Sequence, residues 1–253
     1  MKRRISAALL SPLLLIAGAL HAERYGDTGT GGRSITPVGN PSALIAAELA
    51  FARLARDKGQ WTAFDQTATD DAEMFVPART LAKPWLKKRT NPPQALQWQP
   101  HAAWIACDGS AGVTYGAYQA PGGTQGWFST VWQRGKKGDY KWSLDQGGEL
   151  PKPLAAPDWS EGKVADCPAR PRSAGDDASR KGRKPADTAI QRTLAGPIPA
   201  LDPTGLDSKD GQSRDGSLAW RSTVRADGTR AWTVWLWKDG EMAEVLSRTA
   251  SDG

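Results

Sequence analysis

Histidine is nearly missing from this 253-residue chain, which holds only His21 and His101. A histidine-rich zinc site is therefore excluded, and the only two cysteines, Cys107 and Cys167, stand too far apart for a zinc knuckle. No serine sits in G-x-S-x-G, so the sharp strand-to-helix turn of a serine hydrolase is missing. The glycine-rich PGGTQG at 121–126 lacks the Lys-Ser/Thr ending of a phosphate-binding loop and reads as a hairpin turn. Asp70, Asp71 and Glu73 cluster without the D-x-D-x-D-G spacing of a calcium loop, so they read as a solvated turn. Nothing calls for a metal or any other cofactor.

Long apolar runs are also lacking, with one exception. Lys2, Arg3 and Arg4 precede an apolar stretch from Ile5 to Leu20 that ends in small residues near Ala19–Ala22. Ser11, Pro12 and Gly18 interrupt it, and a membrane anchor needs about 20 apolar residues. Residues 1–22 are therefore expected to be a cleaved signal peptide, with a periplasmic or secreted product that has no membrane segment after cleavage. Cleavage removes three basic and no acidic side chains, which lowers the formal charge from +6 to +3. The remaining charges alternate in sign, so no basic stripe follows a phosphate backbone and no nucleic-acid partner is expected. In an oxidising compartment Cys107 and Cys167 are expected to pair, closing a loop of about 60 residues at a gain of a few kcal/mol.

The rest of the chain divides by texture. Residues 23–40 are glycine-rich and apolar-poor, a flexible leader. At 41–150 the signals are those of an ordered domain. Asn40 is a suitable N-cap, Pro41 suits the first helical position, and Leu44, Ala47, Phe51, Leu54 and Ala55 recur at helical spacing until Gly59. Glu48 reads as a carboxylate at the edge of that apolar stripe. A short helix at 61–68, a strand at 73–76 and another short helix at 81–88 follow. Strands are then expected at 96–107, 113–119, 127–134 and 140–146, separated by Gly- and Asp-bearing turns. Residues 151–213 carry nine prolines and read as a connector, disordered in part. Strands at 217–225, 230–238 and 241–248 close the chain as a three-stranded β-meander within 214–253. DGS opens both strand groups, at 108 and 215, and TVW recurs at 130 and 233; internal duplication and convergence of β-rich sequence both account for this.

The fold class is thus α+β: a curved antiparallel sheet packed on N-terminal helices, with the meander added. ELAFARLARDKGQWTAF, EMFVP, ALQWQPHAAWIA, VTYGAYQ, GWFSTVWQR and YKWSLDQ, closing on Trp142, Leu144 and Asp145, resemble the nuclear-transport-factor-2-like superfamily. The likeness lies with SnoaL-like and ketosteroid-isomerase-like secreted proteins and covers about residues 41–147. It implies a cone-shaped domain whose pocket takes small apolar molecules, and an exposed sheet face on which a homodimer can form. In the isomerase branch a carboxylate base works with a hydrogen-bond donor. Asp145, Tyr115 and His101 are the catalytic candidates here, although their spacing matches no such signature. Tyr118, Trp127 and Phe75 are the ligand-binding candidates.

Twelve tryptophans stand against four tyrosines and four phenylalanines. Strand parity puts Tyr140, Trp142 and Leu144 on one face and Asp145 on the other. Core filling is the reading preferred for Trp132 and Trp142 over a ligand wall. The function expected is an exported small-molecule-binding or accessory protein. The alternative is a cofactor-free isomerase, cyclase or dehydratase acting on a small apolar substrate in the cone.

Overall fold

Asn40 caps the first helix as expected: its side-chain oxygen accepts the Ser42 N–H at 3.1 Å, and Pro41 opens α1 (Pro41–Lys58). This is a computed structural model, and it describes residues 39–168, 194–201 and 207–251. The segment expected to be a signal peptide, nearly all of the expected leader and the middle of the expected connector lie outside the described residues. Gly59 ends α1 at φ 99° and leads directly into α2 (Gln60–Thr67). Then follow β1 (Ala68–Phe75), β2 (Arg79–Leu81), α3 (Ala82–Leu86), β3 (Gln97–Ile105), β4 (Ala111–Gln119), β5 (Gln125–Arg134) and β6 (Tyr140–Glu149). The connector contributes β7 (Glu161–Val164) and β8 (Asp207–Gln212). The chain closes with β9 (Leu218–Val224), β10 (Arg230–Lys238) and β11 (Glu241–Ala250).

Two sheets result. The first runs β2-β1-β6-β5-β4-β3-β7 and the second β11-β10-β9-β8. The α+β class stands, with three differences from the expectation, the first being β2, which pairs antiparallel with β1 where no strand was expected. The large sheet is mixed rather than wholly antiparallel, because β1 lies parallel to β6 and β7 parallel to β3. The C-terminal meander has four strands rather than three, because β8 pairs with β9. β7 and β8 are short, polar edge strands. EGKV and DSKDGQ are largely exposed, so they lack the alternation that reveals a half-buried strand.

The helices cover one face of the large sheet, and Leu44, Phe51, Phe64, Ile105, Trp132 and Trp142 form the core there. The second sheet covers the opposite face. Val113, Tyr115, Trp127, Val131 and Leu144 pack against Leu218, Trp220, Trp232, Val234, Leu236 and Leu246. The sheet face on which a homodimer was expected is therefore occupied within the chain. The disulfide Cys107–Cys167 forms as expected and ties the start of the connector to the end of β3.

α2 has no cap of its own. Instead Asn91, from the loop after α3, accepts the Trp61 and Thr62 N–H groups at 2.7 and 3.1 Å, and its amide donates to Thr62 Oγ1 at 2.9 Å. Replacing a capping Asn by Ala costs about 0.5–2 kcal/mol. Asn91→Ala also frees the loop, so the upper half of that range is expected, with a melting temperature lower by about 3–6 °C. Thermal unfolding followed by circular dichroism checks this, and an unchanged melt would show that the loop does not hold the helix.

Candidate functional site

Glu48 lies one turn after Leu44 and one before Phe51, and all three are buried along α1. It is 0% exposed, so it occupies the centre of the apolar stripe; the reading of Glu48 as a stripe-edge carboxylate is corrected. The carboxylate survives there because donors surround it. Trp98 Nε1–H donates to Oε1 at 2.7 Å, while Thr114 Oγ1–H and Trp132 Nε1–H donate to Oε2 at 2.6 and 3.0 Å. Burial pushes the Glu48 carboxyl above its ordinary value, and the bonds from Thr114, Trp98, Trp132 and Thr130 offset part of that rise.

Asp145 stands beside this cluster. The residue pairs Val131–Leu144 and Trp132–Trp142 leave Ser143 as an extra residue, a β-bulge in β6. The bulge turns the strand over, which corrects the parity reading. Leu144 joins the inter-sheet core, and Asp145, paired with Thr130, shares the helix-covered face with Trp142. Thr130 Oγ1–H donates to Asp145 Oδ2 at 2.8 Å. Burial, with a smaller contribution from Glu48, raises the Asp145 carboxyl to about 7, against the Thr130 bond that lowers it. The helix-covered face thus contains two neighbouring carboxyls, Glu48 sealed and Asp145 half-buried, whose ionisation is suppressed by burial.

The other candidates fall elsewhere. Tyr115 faces the second sheet, where its hydroxyl accepts from Arg248 Nε at 2.8 Å. His101 is the extra residue of a bulge in β3 and lines a shallow outer cavity of about 370 Å³ with Pro157, Asp158, Trp159 and Glu161. Burial lowers the His101 pKa from its ordinary value. The three catalytic candidates therefore point to three separate places. Among the ligand-binding candidates, Trp127 is sealed between the sheets. Phe75 packs at the margin of the same core, with Arg79 and Arg230 stacked over its ring at 5.0 and 5.1 Å. Tyr118 is half-buried near the open end of β4 and closes on Gly126.

The space between helices and sheet is occupied by rings. Phe51 meets Phe64, Trp98 and Trp132 at centroid distances of 4.8, 4.9 and 6.0 Å, all edge to face, and Phe64 meets Trp142 at 5.6 Å. The indole Nε1–H of Trp142 donates to the Phe64 carbonyl and to Thr67 Oγ1, each at 3.1 Å. These tryptophans are core filling. A second concave surface, of about 430 Å³, lies outside this core. It is lined by Gln60, Trp61, Pro92, Pro93, Gln94, Leu96 and Pro121. Among the described residues no three His, Cys, Asp or Glu side chains gather as a metal site.

Apart from the added β2, the sequence of two helices, strand, short helix and four-stranded meander over residues 41–149 is the order implied by the nuclear-transport-factor-2-like resemblance. No family model and no curated protein matches the chain. Solved structures with a similar fold include a candidate ketosteroid isomerase from Parabacteroides distasonis, at 12% identity over 46% of this chain and 97% of that one, with a TM-score of 0.36. A protein of unknown function with a cystatin-like fold from Methylobium petroleophilum is 8% identical over 47% and 82%, with a TM-score of 0.33. ActVI-ORFA from Streptomyces coelicolor is 14% identical over 43% and 95%, with a TM-score of 0.31.

Proposed function

We propose that this protein is an exported binding module that performs no reaction and takes a small apolar ligand at its surface rather than in the helix-covered interior. The filled interior carries this reading. Phe51, Phe64, Trp98, Trp132 and Trp142 occupy the space a substrate would need, and Glu48 already accepts three hydrogen bonds. A substrate there would have to displace core side chains, at a cost of several kcal/mol.

The groove beside α2 lacks that obstacle. Three prolines, Trp61 and Leu96 supply apolar area, and its polar lining, Gln60 and Gln94, has no titratable group to move a proton. Its walls are preformed. Gln60 Oε1 accepts the Leu96 N–H at 3.0 Å, and Asn91 ties the same loop to α2, so little ordering is left to oppose binding. Export is supported by the basic-then-apolar N-terminus and by a disulfide of the kind that persists in oxidising compartments. Among the described residues no helix is long and apolar enough to cross a membrane.

The test is a fluorescence titration of the purified mature chain with the neutral probe N-phenyl-1-naphthylamine. Binding is expected, and Trp61→Ala is expected to weaken it by about tenfold, the equivalent of one aromatic contact. Absence of binding, or binding indifferent to Trp61→Ala, would reject the groove. Asp145 favours a second reading, a cofactor-free isomerase, because its carboxyl on the helix-covered face is raised to about 7, where a general base works best. Turnover of a cyclic enone by the native chain, abolished by Asp145→Asn, would decide for that alternative.

A further inference from the structure

The two DGS turns are bonded to each other, and the bonds are reciprocal. Cys107, just before the first DGS, donates its N–H to Ser217 Oγ in the second at 2.9 Å. Arg214, just before the second, donates its N–H to Ser110 Oγ in the first, also at 2.9 Å. Residue i of one copy meeting residue j of the other, with j meeting i, is the signature of a two-fold interface between identical surfaces.

The equivalence extends through both meanders. In the first turn Ala106 N–H donates to Ala111 O at 3.0 Å, Gly109 N–H to Ala106 O at 3.0 Å, and Arg134 N–H to Ser110 O at 2.9 Å. In the second, Ser213 N–H donates to Leu218 O at 2.9 Å, Gly216 N–H to Ser213 O at 3.1 Å, and Trp237 N–H to Ser217 O at 2.8 Å. Ser110 N–H and Ser217 N–H each donate to the aspartate two residues earlier, Asp108 and Asp215. The next turns also correspond, with Gly123 N–H donating to Ala120 O in one and Gly228 N–H to Arg225 O in the other. The hairpin β9–β10 is shorter than β4–β5 by two residue pairs, so the two TVW triplets remain in register. Both meanders then bulge at the same step: Ser143 is extra opposite Val131–Trp132, and Val245 is extra opposite Val234–Trp235. A bulge has no local sequence signature, so shared placement is strong evidence of common origin.

The packing obeys the same relation. Val131 and Leu144 face Val234 and Leu246, their counterparts, across the inter-sheet core. Ser129 and Trp232 are equivalent positions and touch, with Trp232 Nε1–H donating to Ser129 Oγ at 3.1 Å. Asp108 and Asp215 are equivalent and also touch, with Asp108 N–H donating to Asp215 Oδ2 at 2.8 Å. Equivalent positions in direct contact lie on a two-fold axis. On the outer faces Trp132 and Trp235 again correspond. α1 and α2 cover the first, and Leu194, Ala195 and Ile198 of the connector border the cluster of the second.

We infer that β8–β11 is a second copy of the β3–β6 meander, and that it packs on the first as the partner subunit of a two-fold dimer would. The chain thereby carries its own interface. The helix-covered site exists once, because the second copy lacks the helices, and the face that would recruit another chain is closed.

The full mature chain provides the test. Light scattering at about 100 μM is expected to give a monomeric mass. Amide hydrogen exchange then reads the reciprocal bonds one at a time. Ser217→Ala is expected to speed exchange at the Cys107 N–H, and Ser110→Ala at the Arg214 N–H, each by about 5- to 10-fold for one lost hydrogen bond. A dimeric mass would overturn the inference. So would either amide keeping its native exchange rate after loss of its serine.

Discussion

Glu48→Ala is expected to lower the stability of the protein by about 3–5 kcal/mol, a fall in melting temperature of about 6–20 °C for a chain of this size. Two contributions have the same sign. The substitution leaves a void beside Phe51, Trp98 and Trp132 that their interlocked rings cannot readily close. It also strands the Trp98 indole N–H without an acceptor, and leaves Trp132 Nε1–H only Thr114 Oγ1 at 3.0 Å and the Thr114 hydroxyl only the Thr130 carbonyl at 3.3 Å. Glu48→Gln keeps the volume and an oxygen for Thr114 and Trp132 but aims its amide N–H₂ at the Trp98 indole N–H, so an intermediate loss is expected. Thermal and denaturant unfolding of both variants measure this. A Glu48→Ala melt within 2 °C of the native protein would mean that the carboxylate is a passenger in the core rather than its centre.

Asp145→Asn is expected to stabilise the protein, and to do so only above the acid range. The Asp145 carboxyl rises from 3.8 to about 7 on folding, so the native state holds a proton that the unfolded chain releases. A group of this kind contributes stability that is complete below pH 4. The contribution declines as pH rises and is gone once pH passes about 7. Because Asp145 is half-buried rather than sealed, the cost of deprotonation is set at about 2–4 kcal/mol. Asparagine carries no charge at any pH and still offers an oxygen to the Thr130 hydroxyl. The difference in melting temperature between Asp145→Asn and the native chain should therefore be near zero at pH 3 and about 4–16 °C at pH 8. Comparing variant with native removes the opposite trend of Asp166 and Asp227. Their carboxyls are held low, Asp166 by the Lys238 side chain and Asp227 by the Thr229 N–H, and so they favour higher pH. A difference that stays flat across this range would show that Asp145 is ionised in the folded protein.

Much of the fold was legible in the sequence where a residue acts on its own neighbourhood. Asn40, Pro41 and Gly59 bound α1 because capping chemistry is local. β10 falls on Arg230–Lys238 as expected, because a short run that is apolar on both faces lies between Gly-bearing turns. β7 and β8 were not legible, since exposed edge strands carry polar side chains on both faces. Of the candidate site, Asp145 was readable as a carboxylate near the end of a strand. Its face was not, because Ser143 inverts the parity count and nothing about a serine announces a bulge. Glu48 had a usable signal in its position between Leu44 and Phe51, which fits the border of the stripe as well as its interior, and only the donors gathered around it place it inside.

The sequence by itself determined the class of the fold, the ends of α1, the order of β3–β6 and of β9–β11, and the pair of cysteines available to join. It also contained the repeated DGS and TVW, without the means to tell ancestry from coincidence. Only the tertiary structure decided that Glu48 lies at the centre of the core, that Asp145 turns toward it, and that the second meander closes the face of the first. Each of these depends on contacts between residues tens of positions apart, where a single bulge or a shared acceptor sets the geometry. Periodicity and capping act over one or two turns of chain, and their information ends there.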